Sequence, residues 1–194
     1  MTLSSDARPA LGHNGGPSLD EGLSWRRHCW SRARERLLPT LPIEVVRLRV
    51  ARARELGLPY RTYAGLRASS GQDVIGFLFS TNALRLLRPT DRVPRERQDR
   101  LAGLVACDRV ALAQPPLDLP AVLSLAPLDA AHRAPLSTGT WGETRDRLRA
   151  ILRDRRRPGD AYVLIGETGL EREWCEAGRL AGFLPGDAYF APLP

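Results

Sequence analysis

The apolar positions of this chain fall into two patterns: short runs that are hydrophobic on both sides, and longer stretches with helical spacing. Val74, Ile75, Phe77, Leu78 and Phe79 form one such run around Gly76, and residues 108–113 and 161–165 form two more. A strand that is apolar at odd and even positions alike is buried on both faces, as in a parallel sheet covered by helices.

Helical stretches alternate with these runs. Ser24 can cap a helix over residues 25–38, with Trp25, Cys29, Ala33 and Leu37 at four-residue steps and Pro39 as its stop. A second helix follows Pro42, carries Ile43, Val46, Val50, Ala53 and Gly57 on one face, and ends at Gly57, where a left-handed cap is favoured. Arg49 falls beside that apolar arc and needs a partner or a route to solvent. Shorter helices are predicted over residues 62–68, over 83–87 behind an Asn82 cap, and from Pro94 to about Leu104.

Thr140 with Glu143, and Thr168 with Glu171, are capping boxes that open two further helices. The first presents Leu148, Ile151 and Leu152 and ends in Arg155, Arg156 and Arg157, which complement a helix's negative end. The second presents Leu170, Trp174, Ala177 and Ala181, with Gly182 as its stop. Residues 188–190 are predicted as a short edge strand. Residues 116–139 are the least regular, with one helical turn near 119–123, and a loop of that length points to an element the pattern does not reveal.

Strand and helix in alternation predict an α/β fold: a small, mainly parallel sheet of three to four strands flanked by helices, with a basic N-terminal helical annex. The expected division is a loosely ordered Gly/Pro/Ser-rich arm over residues 1–22, the annex over 23–71 and the α/β core over 72–194.

Charge separates the halves. All 29 basic residues are arginine, and the net charge is +7. Residues 1–100 hold 18 arginines against 10 acids, while residues 101–194 hold 11 against 12. The positive excess therefore lies in the N-terminal half, which points to nucleic acid or an acidic protein as partner. Within that half, residues 45–69 have the outline of a helix-turn-helix corner. It would offer Arg47, Arg54, Arg61, Thr62 and Arg67 to bases and phosphates, although Gly65 weakens the second helix. Trp25 and Trp30 among arginines read as docking anchors, which fits a subunit or adaptor in a larger assembly.

A different expectation comes from the strands. In open parallel sheets ligands bind beyond the carboxyl ends, which here present Ser80, Thr81, Asn82, Gln114, Glu167 and Thr168. These residues are the candidate ligand site of a small α/β enzyme or binding domain. No nucleotide fingerprint, catalytic triad signature or sequence-local metal motif occurs, so neither a cofactor nor a metal is predicted. His132, expected in a loop near Ser137 and Thr138, is the one histidine in a plausible active-site setting. Three scattered cysteines fit a reducing compartment. With no apolar run near the roughly 20 residues of a membrane span and no leader-like N-terminus, the expectation is a cytoplasmic protein without a membrane partner.

Overall fold

The computed structural model describes residues 41–192. Contacts divide the chain into units 1–45 and 46–194, and the sheet with its two cores lies in the second. The arm over residues 1–22 and the helix over 25–38 lie outside the described residues.

Five strands form one sheet: β1 (Gly76–Ser80), β2 (Asp108–Ala113), β3 (Ala130–Arg133), β4 (Tyr162–Gly166) and β5 (Gly182–Pro185). Their order is β3-β2-β1-β4-β5 and every pairing is parallel. The helices are α1 (Ile43–Glu55), α2 (Tyr60–Ser70), α3 (Arg95–Ala102), α4 (Leu119–Ser124), α5 (Trp141–Asp154), α6 (Gly169–Gly178) and α7 (Gly186–Phe190), with a short 3-10 turn at Gly159–Ala161 before β4.

The two-faced strands partition the core. Phe77, Phe79, Ala111, Ala113, Val163 and Ile165 point to one side, where they meet Ala53, Tyr63, Leu66, Leu101, Val122, Tyr189 and Phe190. Leu78, Val110, Leu112, Tyr162 and Leu164 point to the other and meet Leu148, Ile151, Leu152, Trp174 and Ala177 of α5 and α6. The result is a three-layer α/β/α arrangement, as the strand pattern predicts.

The strand count exceeds the three to four expected. β3 lies at the sheet's edge, and Ala130-Ala131-His132-Arg133 is too polar to read as a buried strand. It forms because β2 offers an open parallel edge, pairing Val110 with Ala130 and Leu112 with His132. His132 is therefore a strand residue and not a loop residue. The other added strand, β5, begins at Gly182, which the sequence pattern assigns as a helix stop. A side chain there would strike the buried Leu66.

Residues 188–190 are helical rather than strand. Pro185 leads into α7, whose Tyr189 and Phe190 both face the core, and adjacent apolar residues in a short helix imitate a strand. The helix expected over 83–87 is a turn. Leu84 N–H donates to Ser80 O at 3.1 Å and Leu86 N–H to Thr81 O at 2.8 Å, and Arg85 at φ 58° ends it. Five residues before a proline are too few to recover the cost of helix nucleation. Asn82 is thereby released from a capping role.

The basic helices at residues 46–70 belong to the same compact unit as the sheet. Tyr63 and Leu66 share the core with Phe77. Arg52, rather than Arg49, folds back: its guanidinium donates to the carbonyls of Val74 (3.0 Å), Val105 (3.1 Å) and Ala106 (3.0 Å) and to Glu55 at 2.8 Å. These loop carbonyls have no ladder partner, and one arginine fork satisfies several. At the same end of the sheet, Asp108 receives Arg155 and the Tyr162 hydroxyl. Arg155 thus joins α5 to β2 and does more than complement its own helix's end.

Candidate functional site at the strand ends

The strand order creates a switch point. After β1 and β2 the chain crosses over through α3 and α4 on one face, and after β3 and β4 through α5 and α6 on the other. The loops leaving β1 and β4 therefore run to opposite faces, and the gap between their carboxyl ends is the position of the ligand crevice in such sheets.

Glu171, fully buried on α6, stands in this crevice. One carboxylate oxygen accepts from the Asn82 side-chain amide at 3.0 Å and from the Gln114 side-chain amide at 2.9 Å. The other accepts from the backbone N–H of Glu167 at 2.6 Å and of Thr168 at 3.0 Å. Four donors at the positive end of a helix offset the cost of removing a carboxylate from water. The capping box at Thr168 supplies part of this arrangement, with Thr168 Oγ1 accepting from Glu171 N–H at 3.2 Å.

The six strand-end residues therefore divide. Asn82, Gln114, Glu167 and Thr168 converge on Glu171. Ser80 and Thr81 are fully buried, and their hydroxyl oxygens accept from Ala83 N–H (3.1 Å) and Gln114 N–H (3.2 Å). They shape the turn from within. Because both amide NH2 groups face a carboxylate, the Asn82 and Gln114 carbonyl oxygens are directed elsewhere and can accept hydrogen bonds. The N–H groups that would hold a phosphate at this turn already hold Glu171, so the crevice suits a neutral, donor-bearing ligand group.

Charged residues border the crevice. Arg97, buried on α3, donates to Ala83 O and to Asp187 Oδ1 at 2.6 Å, and stacks 4.7 Å from the Phe190 ring centre. Arg85 grips the same carboxylate at 2.6 and 2.8 Å. Hydrogen bonds from Arg85 and then Arg97 hold the Asp187 acid below the usual carboxylate range. Glu167 Oε1 is buried without a hydrogen bond, 3.7 Å from Arg85 and 3.8 Å from Arg97.

Beyond β2 and β3 lies a cavity of 660 Å³ lined by Pro115, Arg133, Ala134, Thr138, Thr144 and Arg147 among others. Arg133 also donates to Leu117 O. The volume lies within the roughly 300–1,000 Å³ of small-molecule sites. His132 does not line it. Its Nε2 is 3.7 Å from Asp154 and lacks a hydrogen bond, and burial pulls its pKa down despite that carboxylate. Burial also raises the thiols, Cys107 to about 12 and Cys175 to about 11, so both stay protonated and poorly nucleophilic. Among the described residues no three His, Cys, Asp or Glu side chains gather as a metal site, and no helix is long and apolar enough to cross a membrane.

The helix-turn-helix candidates are placed differently from one another. Arg47, Arg54 and Arg61 are exposed on α1 and α2, and Thr62 is half-buried. Arg67 is half-buried and already engaged, 3.3 Å from Asp73 and from the Tyr63 hydroxyl. Glu171 was visible in the sequence as half of a capping box, but its partners Asn82 and Gln114 come from distant strands. Arg97, Arg133 and Thr144 carried no sequence signal, since a charged helix start and an irregular loop look alike in any solvated surface. No family model, curated protein or solved structure matches this chain.

Proposed function

We propose that this chain is a small-molecule-binding α/β domain whose ligand lies beyond the carboxyl ends of β1, β2 and β4 and extends into the cavity past β3. The observation that carries this reading is the convergence of Asn82 and Gln114, from two different strand ends, on the buried Glu171 carboxylate. Amide oxygens free to accept, and a 660 Å³ cavity that begins at Pro115, the residue after Gln114, are what a polar, donor-bearing ligand requires. The test is a thermal-shift screen of metabolites against the parent and an Ala150→Trp variant. Ala150 is an exposed cavity-lining residue of α5, so tryptophan there fills the cavity without touching the core. Expected is a ligand that raises the parent's Tm and leaves the variant's unchanged. An equal shift in both places the ligand elsewhere and overturns the reading.

A second reading, contact of the arginine-rich N-terminal half with nucleic acid or an acidic protein, is favoured by the exposure of Arg47, Arg54 and Arg61 around Leu48, which is 71% exposed. It requires that binding to a mixed-sequence duplex weaken steeply with salt, because each arginine–phosphate contact releases counterions. An Arg54→Ala, Arg61→Ala variant that keeps the parent's affinity and salt slope overturns it.

A further inference from the structure

At the opposite end of the sheet from the crevice, a second hollow of 450 Å³ lies between the carboxyl ends of α5 and α6. Arg149 and Arg153 of α5, Arg157 of the following loop and Arg179 at the end of α6 line it, with Leu152, Gly159, Asp160 and Gly178. Gly159 closes the two helices together: a Cβ there would sit 2.8 Å from the Gly178 carbonyl. The four side chains make no hydrogen bond or ion pair among the described residues. Asp146, on the same helix, bonds instead to Arg145 at 3.0 Å and feels Arg149 and Arg153 only through space.

Arginines at helix ends ordinarily complement the dipole, and the magnitudes show that these exceed that need. Two helix carboxyl ends carry about −0.5 charge each, and Asp160 adds one negative charge. Against four guanidinium groups the hollow keeps a surplus of about +2. Arg179 also holds a left-handed backbone at φ 50°, a position that favours glycine. Asp160 Oδ1 is buried with no hydrogen bond, so this oxygen pairs with none of the four arginines.

We infer that this hollow is a binding site for a small, multiply charged phosphate compound of the diphosphate class. Guanidinium forks match phosphate oxygens in pairs, and a hollow of this size bounded by two helix ends suits a compact anion rather than an extended strand.

The test is calorimetric titration of the full chain with sodium pyrophosphate, and separately with orthophosphate, at fixed ionic strength. Expected is one saturable site for pyrophosphate, weaker binding of orthophosphate, and a loss of about tenfold or more in Arg153→Ala, Arg179→Ala. Arg95→Ala, a surface arginine of α3 that is 94% exposed, should change affinity less than about twofold. Absence of saturable pyrophosphate binding overturns the inference, as does an equal loss in the Arg95 variant. A mixed-sequence oligonucleotide that binds through Arg153 and Arg179 while pyrophosphate does not bind also overturns it, in favour of a nucleic-acid surface. A thermal shift lost in Ala150→Trp concerns the other cavity, so the two sites fail independently.

Discussion

The Gln114 amide donates to the Glu171 carboxylate at 2.9 Å across 57 residues of chain, joining the end of β2 to the first turn of α6. Asn82 does the same from the end of β1. Glu171 thus holds three connections in register at the switch point, and its removal is informative. Glu171→Ala leaves two side-chain amides and two backbone N–H groups without their acceptor, and should cost about 3–5 kcal/mol. Urea unfolding of both proteins measures it. A loss under about 1 kcal/mol would mean that water replaces the carboxylate easily and that the network does not organise the crevice.

Two glycines that look equivalent in sequence should respond oppositely. A Cβ on Gly76 would meet the Tyr162 ring, at 2.9 Å from Cδ1, and Asp108 Cβ at 3.0 Å. Tyr162 is buried and tied to Asp108, so neither can retreat, and Gly76→Ala should destabilise by about 2 kcal/mol. Gly169 at the start of α6 has open space around it. Gly169→Ala should be neutral or stabilising by up to about 1 kcal/mol. Thermal unfolding of the pair checks both signs.

Arginine occupies the left-handed position after two helices, Arg156 at φ 54° and Arg179 at φ 50°. Replacing either with glycine removes the Cβ conflict and should raise stability by about 0.5–1 kcal/mol. Arg179→Gly should at the same time weaken pyrophosphate binding, while Arg156, which does not line the hollow, should leave it unchanged. Paired calorimetry and unfolding would show whether stability and binding move in opposite directions at residue 179 alone.

Stability should depend on pH through His132. Burial lowers its folded pKa below the ordinary 6.5, so the unfolded chain binds more protons in this range. The stability is fully present above about pH 6.5 and is lost as pH falls through the folded value. The paired acids Asp129 and Asp187, also lowered in the fold, lose their contributions only below their ordinary 3.8. Comparing urea midpoints of the parent and His132→Gln from pH 7.5 down to 4.5 isolates the histidine. Parallel profiles for the two proteins would refute this assignment.

Local rules were legible wherever neighbours in sequence are also partners in space. The capping boxes at Thr140–Glu143 and Thr168–Glu171 form as their spacing predicts, because each closes within one helical turn. The parallel, helix-covered sheet was legible from Phe77-Leu78-Phe79, Val110-Ala111-Leu112 and Val163-Leu164-Ile165, whose side chains alternate between two cores. The edges were not, since β3 takes its shape from pairing with β2 and β5 from pairing with β4. Asn82 shows the same limit at the site: a cap by local rule, it becomes a partner of Glu171 once residues 83–87 form a turn.

The amino-acid sequence by itself determined the α/β class, the two-faced strands and the two capping-box helix starts, all of which follow from periodicity and from hydrogen bonds a few residues long. Only the tertiary structure decided the five-strand order, the burial of Glu171 between Asn82 and Gln114, and the gathering of Arg149, Arg153, Arg157 and Arg179 around one hollow. The physical reason is range. Hydrophobic pattern specifies which side of an element is buried, whereas which polar side chains meet depends on how the crossovers bring distant strand ends and helix ends together.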